Sequence, residues 1–289
     1  MNDCDKPKHS LVYALERLAS ASGKQAALLI VALASLYPLY FVFANAFKTK
    51  VDYAGNKSGL PHEWVLDNFA KVLQGSSFPR WFGNTVLLTF SSVLVSLFIG
   101  AMAAYALSRM RFRGQKPLLN LMVALMVIPP IVMVIPLFVM MAKLDLVNRY
   151  ESPIIVYTGL LLPFTIYMLH SFFVTVPHAI TDSAAIDGCS HFQTFVKIML
   201  PLSRPALVTL LLVNALWVWN ELLVSLIFLQ KEELKTIMVG LTVFRGRFSV
   251  DVPLIMAGLV WGTGPMLLLY LFGQRYLVKG LVAGSLKGE

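Results

Sequence analysis

Six long apolar runs dominate this sequence, and they restrict the fold more than any other feature. They lie near residues 25–47, 82–107, 118–141, 153–175, 206–229 and 253–273. A helix crosses the hydrocarbon core of a bilayer with about 20 mainly apolar residues. Inside lipid every backbone donor and acceptor must be satisfied within the protein, which leaves helices and closed barrels. Runs of this length predict helices, so the chain reads as an all-α membrane protein with six transmembrane helices. Only 13% of its residues are charged, against about 25% in a soluble domain. The reading has three parts: a cytoplasmic N-terminal amphipathic segment (1–24), a six-span domain (25–273) and a cytoplasmic C-terminal tail (274–289).

Charge placement sets the expected topology. The net charge of +9 comes from basic residues lying mainly between or beside the apolar runs. That pattern suits phospholipid head groups and topology rather than nucleic acid. Arg109, Arg111, Arg113 and Lys116 crowd the tight connection after the second run, which assigns that connection to the cytoplasm. An even number of spans then puts both termini inside. The first twenty-odd residues are polar, and the first apolar run is long enough to stay in the membrane. No cleavable signal peptide is therefore expected. Within the first segment, Leu11, Val12, Leu15 and Leu18 recur at helical spacing, predicting a short helix on the membrane surface. Cys4 and Cys189 have neither disulfide nor metal-ligand spacing, so free thiols and no metal site are expected.

Two segments fall outside the membrane by this topology. In 48–81, Val65, Leu66, Phe69, Val72, Leu73 and Trp81 predict an amphipathic helix, with Trp81 anchoring at the interface. The segment 230–252 carries Lys231, Glu232, Glu233, Lys235, Arg245 and Arg247; a contact for a soluble partner is one reading, and a solvated charged loop is the default. Prolines interrupt the spans at Pro38, Pro129, Pro130, Pro136, Pro163 and Pro265. The stretch from Ile128 through Pro136 is expected to be kinked or partly unwound, either lining a path or as a structural kink.

The connection from Pro177 to Pro201 has a shape of its own. Pro177 suits the first position of a helix; Ala179, Ala184 and Ala185 continue it, and Gly188 can end it in the left-handed conformation. Ser190 and Gln193 have capping-box spacing, starting a second helix whose apolar face is Phe192, Phe195, Val196 and Met199, with Pro201 as its end. Two short helices joined by a tight turn can in principle read DNA. With only Lys197 and Arg204 as cations, and a span at each end, this pair is poorly equipped for phosphates. Docking into a protein groove is the better physical reading. Asp182, Asp187 and His191 do not form a convincing catalytic constellation.

Those same residues carry a family resemblance. Asp182-Ser183-Ala184-Ala185-Ile186-Asp187-Gly188, then nine residues to Ile198-Met199-Leu200-Pro201, resembles the EAA loop of ABC-importer permeases. Ala184, Gly188, Ile198, Leu200 and Pro201 match in place; Asp182 stands for the usual Glu and Ser183 for the first Ala. The tail from Gln274 to Gly288 resembles that of carbohydrate-class permeases, in particular the second, maltose-type membrane subunit. So do Asp67-Asn68-Phe69, Phe82-Gly83-Asn84-Thr85 and Trp219-Asn220-Glu221. The resemblance implies a type I importer permease fold in a bacterial inner (plasma) membrane. It makes segment 176–205, with Ala185 inside it, a cytoplasmic coupling loop docked on an ATP-hydrolysing subunit. The implied partners are a second permease subunit forming a heterodimer, two ATP-binding subunits and an extracytoplasmic solute-binding protein, with a sugar or oligosaccharide as solute.

No G-x-x-x-x-G-K-[ST] phosphate loop occurs in the chain. The chain is thus expected to be a transport subunit and not an enzyme, with ATP and magnesium held by its partners and no cofactor of its own. Among the acids, only Glu221 lies inside an apolar run, with Asn214, Trp217, Trp219 and Asn220 on the same span. An intramembrane carboxylate is a functional candidate by default. Asn214, Trp217, Asn220 and Glu221 are therefore candidates for the translocation path, the alternative being that Glu221 bonds a neighbouring helix. Other readings are the same architecture carrying a sugar phosphate or polyol, a secondary transporter, or a membrane-embedded enzyme. A secondary transporter predicts inverted repeats and buried coupling charges; no internal symmetry is visible, and one intramembrane acid is few.

Overall fold

The computed structural model describes residues 8–74, 77–247 and 251–285, and the side chains of 24–74, 77–242 and 251–274. The expected surface face of Leu11, Val12, Leu15 and Leu18, the side chains of Arg245 and Arg247, and those of the tail from Arg275 onward lie outside them. Every regular element among the described residues is helical. Four helices there are long and apolar enough to cross a membrane, or six spans if each of two sharply bent pairs counts as one.

The chain divides into two compact units, Met1–Ala70 with Asp251–Val260, and Lys71–Val250 with Trp261–Glu289. In the first, α1 (Lys8–Ala46) runs without a break, so no joint separates the N-terminal segment from the first span. After it the chain wraps around Lys48, which is fully buried. Its Nζ donates to the carbonyls of Asn56 at 2.6 Å and Gly59 at 2.8 Å, and Asn68 Nδ2 donates to those of Ala46 and Lys48. A buried ammonium is tolerated only with such partners. Within this wrap lies α2 (Lys50–Gly55), capped by Thr49. The predicted amphipathic helix is α3 (Asp67–Gln74), shorter than expected and ending well before Trp81.

The second unit is built on α4 (Phe78–Arg109) and α7 (Glu151–Thr175). Ser92, Ser96, Gly100 and Ala104 recur every four residues on α4 and are buried. Small side chains in one row let helix backbones approach closely in a membrane. At Gly100 a Cβ would stand 2.6 Å from Thr165 Cγ2. Thr158 Oγ1 donates to Ser92 O at 3.4 Å across the same seam. The third apolar run is not one rod. It forms α5 (Gln115–Val127) and α6 (Pro130–Lys143), bent by 102°. Pro129 holds Ile128 extended and lacks a donor, which ends α5; Pro130 then opens α6. Pro38, Pro136, Pro163 and Pro265 instead sit inside continuous helices.

Three further expectations need correction. The run 206–229 divides into α10 (Arg204–Asn220) and α11 (Leu223–Phe228), broken at Glu221. The segment 230–252 is not a solvated loop. It makes a turn at Glu232–Leu234 and then α12 (Ile237–Arg247), with Ile237 and Val239 buried. Asn84 Nδ2 donates to the carbonyls of Glu233 and Lys235, and Thr85 Oγ1 accepts the Ile237 N–H, which holds the segment against α4. Trp81 is buried rather than at an interface, because its ring fills the space over Gly240, where a Cβ would run into it. The last helix, α13, spans Val252–Ser285.

Candidate functional site

The segment between the fourth and fifth spans folds as two short helices. The first, α8 (His178–Ile186), follows Pro177, whose extended backbone makes it the cap rather than the first helical residue. The chain turns at Gly188, with φ at +79°, where a side chain would be strained and glycine is not. Ser190 Oγ accepts the Gln193 N–H at 3.2 Å, and Gln193 Oε1 accepts the Ser190 N–H at 2.9 Å. That capping box starts α9 (His191–Leu202). Pro201 does not end this helix. The preceding residues Phe195–Met199 widen into a π turn, in which Leu200 N–H reaches back to Phe195 O. The helix then continues to Leu202 and bends by 75° into α10 at Ser203. A π turn adds one residue per bond.

Burial divides this segment into two faces. Ala184, Thr194, Phe195 and Met199 point inward, with Phe195 tilted on Tyr105 at 5.3 Å. Asp182, Ser183, Ala185, Gly188 and Pro201 are exposed, while Ile198 and Leu200 are half-buried. Beside them Ile186 is 87% and Phe192 61% exposed. Of the expected apolar face, Phe195 and Met199 are buried, while Phe192 and Val196 are exposed.

The four candidates for the path separate into two pairs. Asn214 and Trp217 line an open cavity of about 470 Å³ between α5, α6, α7 and α10, with Met133, Met140 and Phe164 among its other walls. Asn214 is buried and donates to Thr165 Oγ1 at 3.0 Å; Trp217 is half-exposed and meets Tyr157 edge-on at 6.2 Å. Asn220 bonds its own helix at Leu216 O. Glu221 holds the helix break: its carboxylate accepts the N–H groups of Leu223 and Val224 and the Tyr157 hydroxyl. Neither lines the cavity. Trp219 is fully enclosed, donating Nε1–H to Gly262 O at 2.9 Å. The sequence reading did not single out Tyr157. A tyrosine at the fifth position of the apolar run 153–175, needing a partner for its hydroxyl, is the available signal.

Residues 96–281, more than half of the chain, match the family described as the binding-protein-dependent transport system inner membrane component. The chain belongs to that family. Among its relatives, the probable ABC transporter permease protein YurM of Bacillus subtilis is 36% identical over 257 residues, 89% of this chain and 85% of that one. The melibiose/raffinose/stachyose import permease protein MelC of Bacillus subtilis is 30% identical over 90% of this chain and 94% of that one. The trehalose/maltose transport system permease protein MalG of Thermococcus litoralis is 31% identical, covering 90% and 95%. A chain in the crystal structure of a bacterial ABC transporter involved in the import of the acidic polysaccharide alginate matches with a TM-score of 0.80. That match covers 95% of this permease and 99% of that chain at 23% identity. The chain therefore has the fold of an ABC importer permease and is a multi-pass membrane protein.

Proposed function

We propose that this permease forms half of the translocation path for a sugar or oligosaccharide, driven by ATP hydrolysis on separate subunits. The observation that carries the reading is the outer face of α8 and α9. It is a helix pair, the second member started by a capping box, that presents Asp182, Ser183, Ala185 and Ile186 between two membrane helices. The names of relatives, a melibiose/raffinose/stachyose import permease and a trehalose/maltose transport system permease, support the solute class. A second permease subunit pairs with this one, two ATP-binding subunits hold ATP and magnesium and grip α8, and an extracytoplasmic binding protein delivers the sugar. Both termini lie in the cytoplasm of a bacterial cell. On this reading Trp217 and Asn214 offer a stacking face and an amide to the passing sugar, while Glu221 serves the helix break and stands off the path.

Co-expression with the ATP-binding subunits and the binding protein, then reconstitution into vesicles, tests this reading. Uptake of radiolabelled oligosaccharide that requires both ATP and the binding protein is the expected result. Uptake driven by an ion gradient without ATP would overturn it.

A further inference from the structure

Arg109 is the last residue of α4, yet its guanidinium bonds to another part of the chain. Nη2 donates to the carbonyls of Phe173 and Val176, both at 2.5 Å. Nη1 lies 3.1 Å from Nδ1 of His178. The two carbonyls sit at the C-terminal end of α7, and His178 is the first residue of α8. Between those helices Val176 (φ −72°, ψ 129°) and Pro177 (φ −59°, ψ 138°) are extended. The joint carries no helical hydrogen bond of its own across it, and Pro177 has no N–H to make one. A push on α8 alone would be dissipated by rotation there.

The guanidinium spans that joint, holding carbonyls before it and an imidazole after it. A cation at the C-terminal end of a helix is favourable in itself. The planar fork lets one side chain serve several acceptors, which a lysine ammonium on a single atom cannot match. Nε, meanwhile, is enclosed without an acceptor, so the pose is held by the Nη contacts against a desolvation cost.

We propose that Arg109 is a positioning residue that splints the α7–α8 joint to the end of α4, so that displacement of the coupling helix moves the second and fourth spans together. This rests on the coupling role proposed above for α8. In the reconstituted complex the readout is sugar taken up per ATP hydrolysed. Arg109→Gln is expected to lower that ratio by about 5-fold or more, the lower range of an allosteric coupling. Arg109→Lys recovers it only in part. His178→Ala removes the contact beyond the joint and leaves both carbonyl bonds, and it is expected to lower the same ratio less. The double variant is expected to match Arg109→Gln alone, since the two residues act through one contact. An unchanged ratio in both single variants, or fully additive losses, overturns the proposal. If Arg109→Gln fails to assemble, His178→Ala decides it: an unchanged ratio there means that Arg109 only stabilises the bundle. A native complex whose ATP hydrolysis is independent of uptake defeats the coupling role itself, a separate outcome.

Discussion

Tyr157 donates its phenolic hydrogen to the carboxylate of Glu221 across 2.7 Å, linking the first third of α7 to the break between α10 and α11. The same hydroxyl stands 2.7 Å from Ser225 Oγ. A carboxylate that takes two backbone N–H groups and a hydroxyl in a low-dielectric setting is a structural acceptor first.

Glu221→Ala should therefore destabilise the purified permease more than Glu221→Gln. Hydrogen bonds to a charged group contribute about 1.5–3 kcal/mol each, and the glutamine keeps a carbonyl for the Leu223 and Val224 donors. Thermal unfolding in detergent, with Tyr157→Phe as a third variant, checks the order. A glutamine variant as unstable as the alanine one contradicts it.

Asn84 holds three groups. Its Nδ2 donates to the carbonyls of Glu233 and Lys235, and its Oδ1 accepts the Tyr150 hydroxyl at 2.8 Å. Asn84→Ala leaves these partners unsatisfied, at about 1–3 kcal/mol for each one that stays buried. Faster amide exchange across 231–242, with α4 and α7 unaffected at their centres, is the expected result.

Gly100 and Gly83 make a matched pair on α4. A side chain at Gly100 collides with Thr165, while a Cβ at Gly83 meets nothing within 4 Å. Gly100→Val should cost about 1–3 kcal/mol through overpacking and Gly83→Ala almost nothing. Melting temperatures of the two variants are the measurement.

At Gly188 the added Cβ also meets no atom, so any penalty comes from the backbone angle. Gly188→Ala should weaken the turn by about 1–2 kcal/mol, and Gly188→Asn by less. Retention of the ATP-binding subunits during purification, ranked Gly, Asn, Ala, is the predicted order.

The His62 imidazole, 2.6 Å from Asp52, holds that carboxyl below its ordinary value through their hydrogen bond. Asp52 also accepts the His62 backbone N–H. A depressed carboxyl lends its stability above the unfolded-state value, about 3.9, and loses it as pH falls through the lower folded value. The wrap around Lys48 should hold near neutrality and loosen only below about pH 4. Amide exchange at His62 across that range checks this, and Asp52→Asn should remove the dependence.

Much of the fold was legible because membranes demand long apolar helices. Runs of that length have no other way to satisfy their backbone, so the spans near 82–107 and 153–175 were found to within a few residues. The capping box and the turn at Gly188 were legible because caps are local, set by residues within three positions. The row Ser92, Ser96, Gly100 and Ala104 has close-packing spacing in the sequence too, but nothing local says which helix it faces. The fates of Trp81 and Glu221 depend on residues far along the chain. Trp81 is buried against Gly240, and Glu221 is met by Tyr157.

Local chemistry thus settled by itself which segments are helices, where the α8–α9 turn lies and how its second helix is capped. Tertiary structure decided which polar and aromatic groups meet. It enclosed Trp219 on Gly262 O, left Trp217 on a cavity wall and used Glu221 to bridge a broken helix. The physical reason is range. A helix or cap closes its hydrogen bonds within a few residues, whereas the partner of a buried polar side chain is fixed only when distant helices pack.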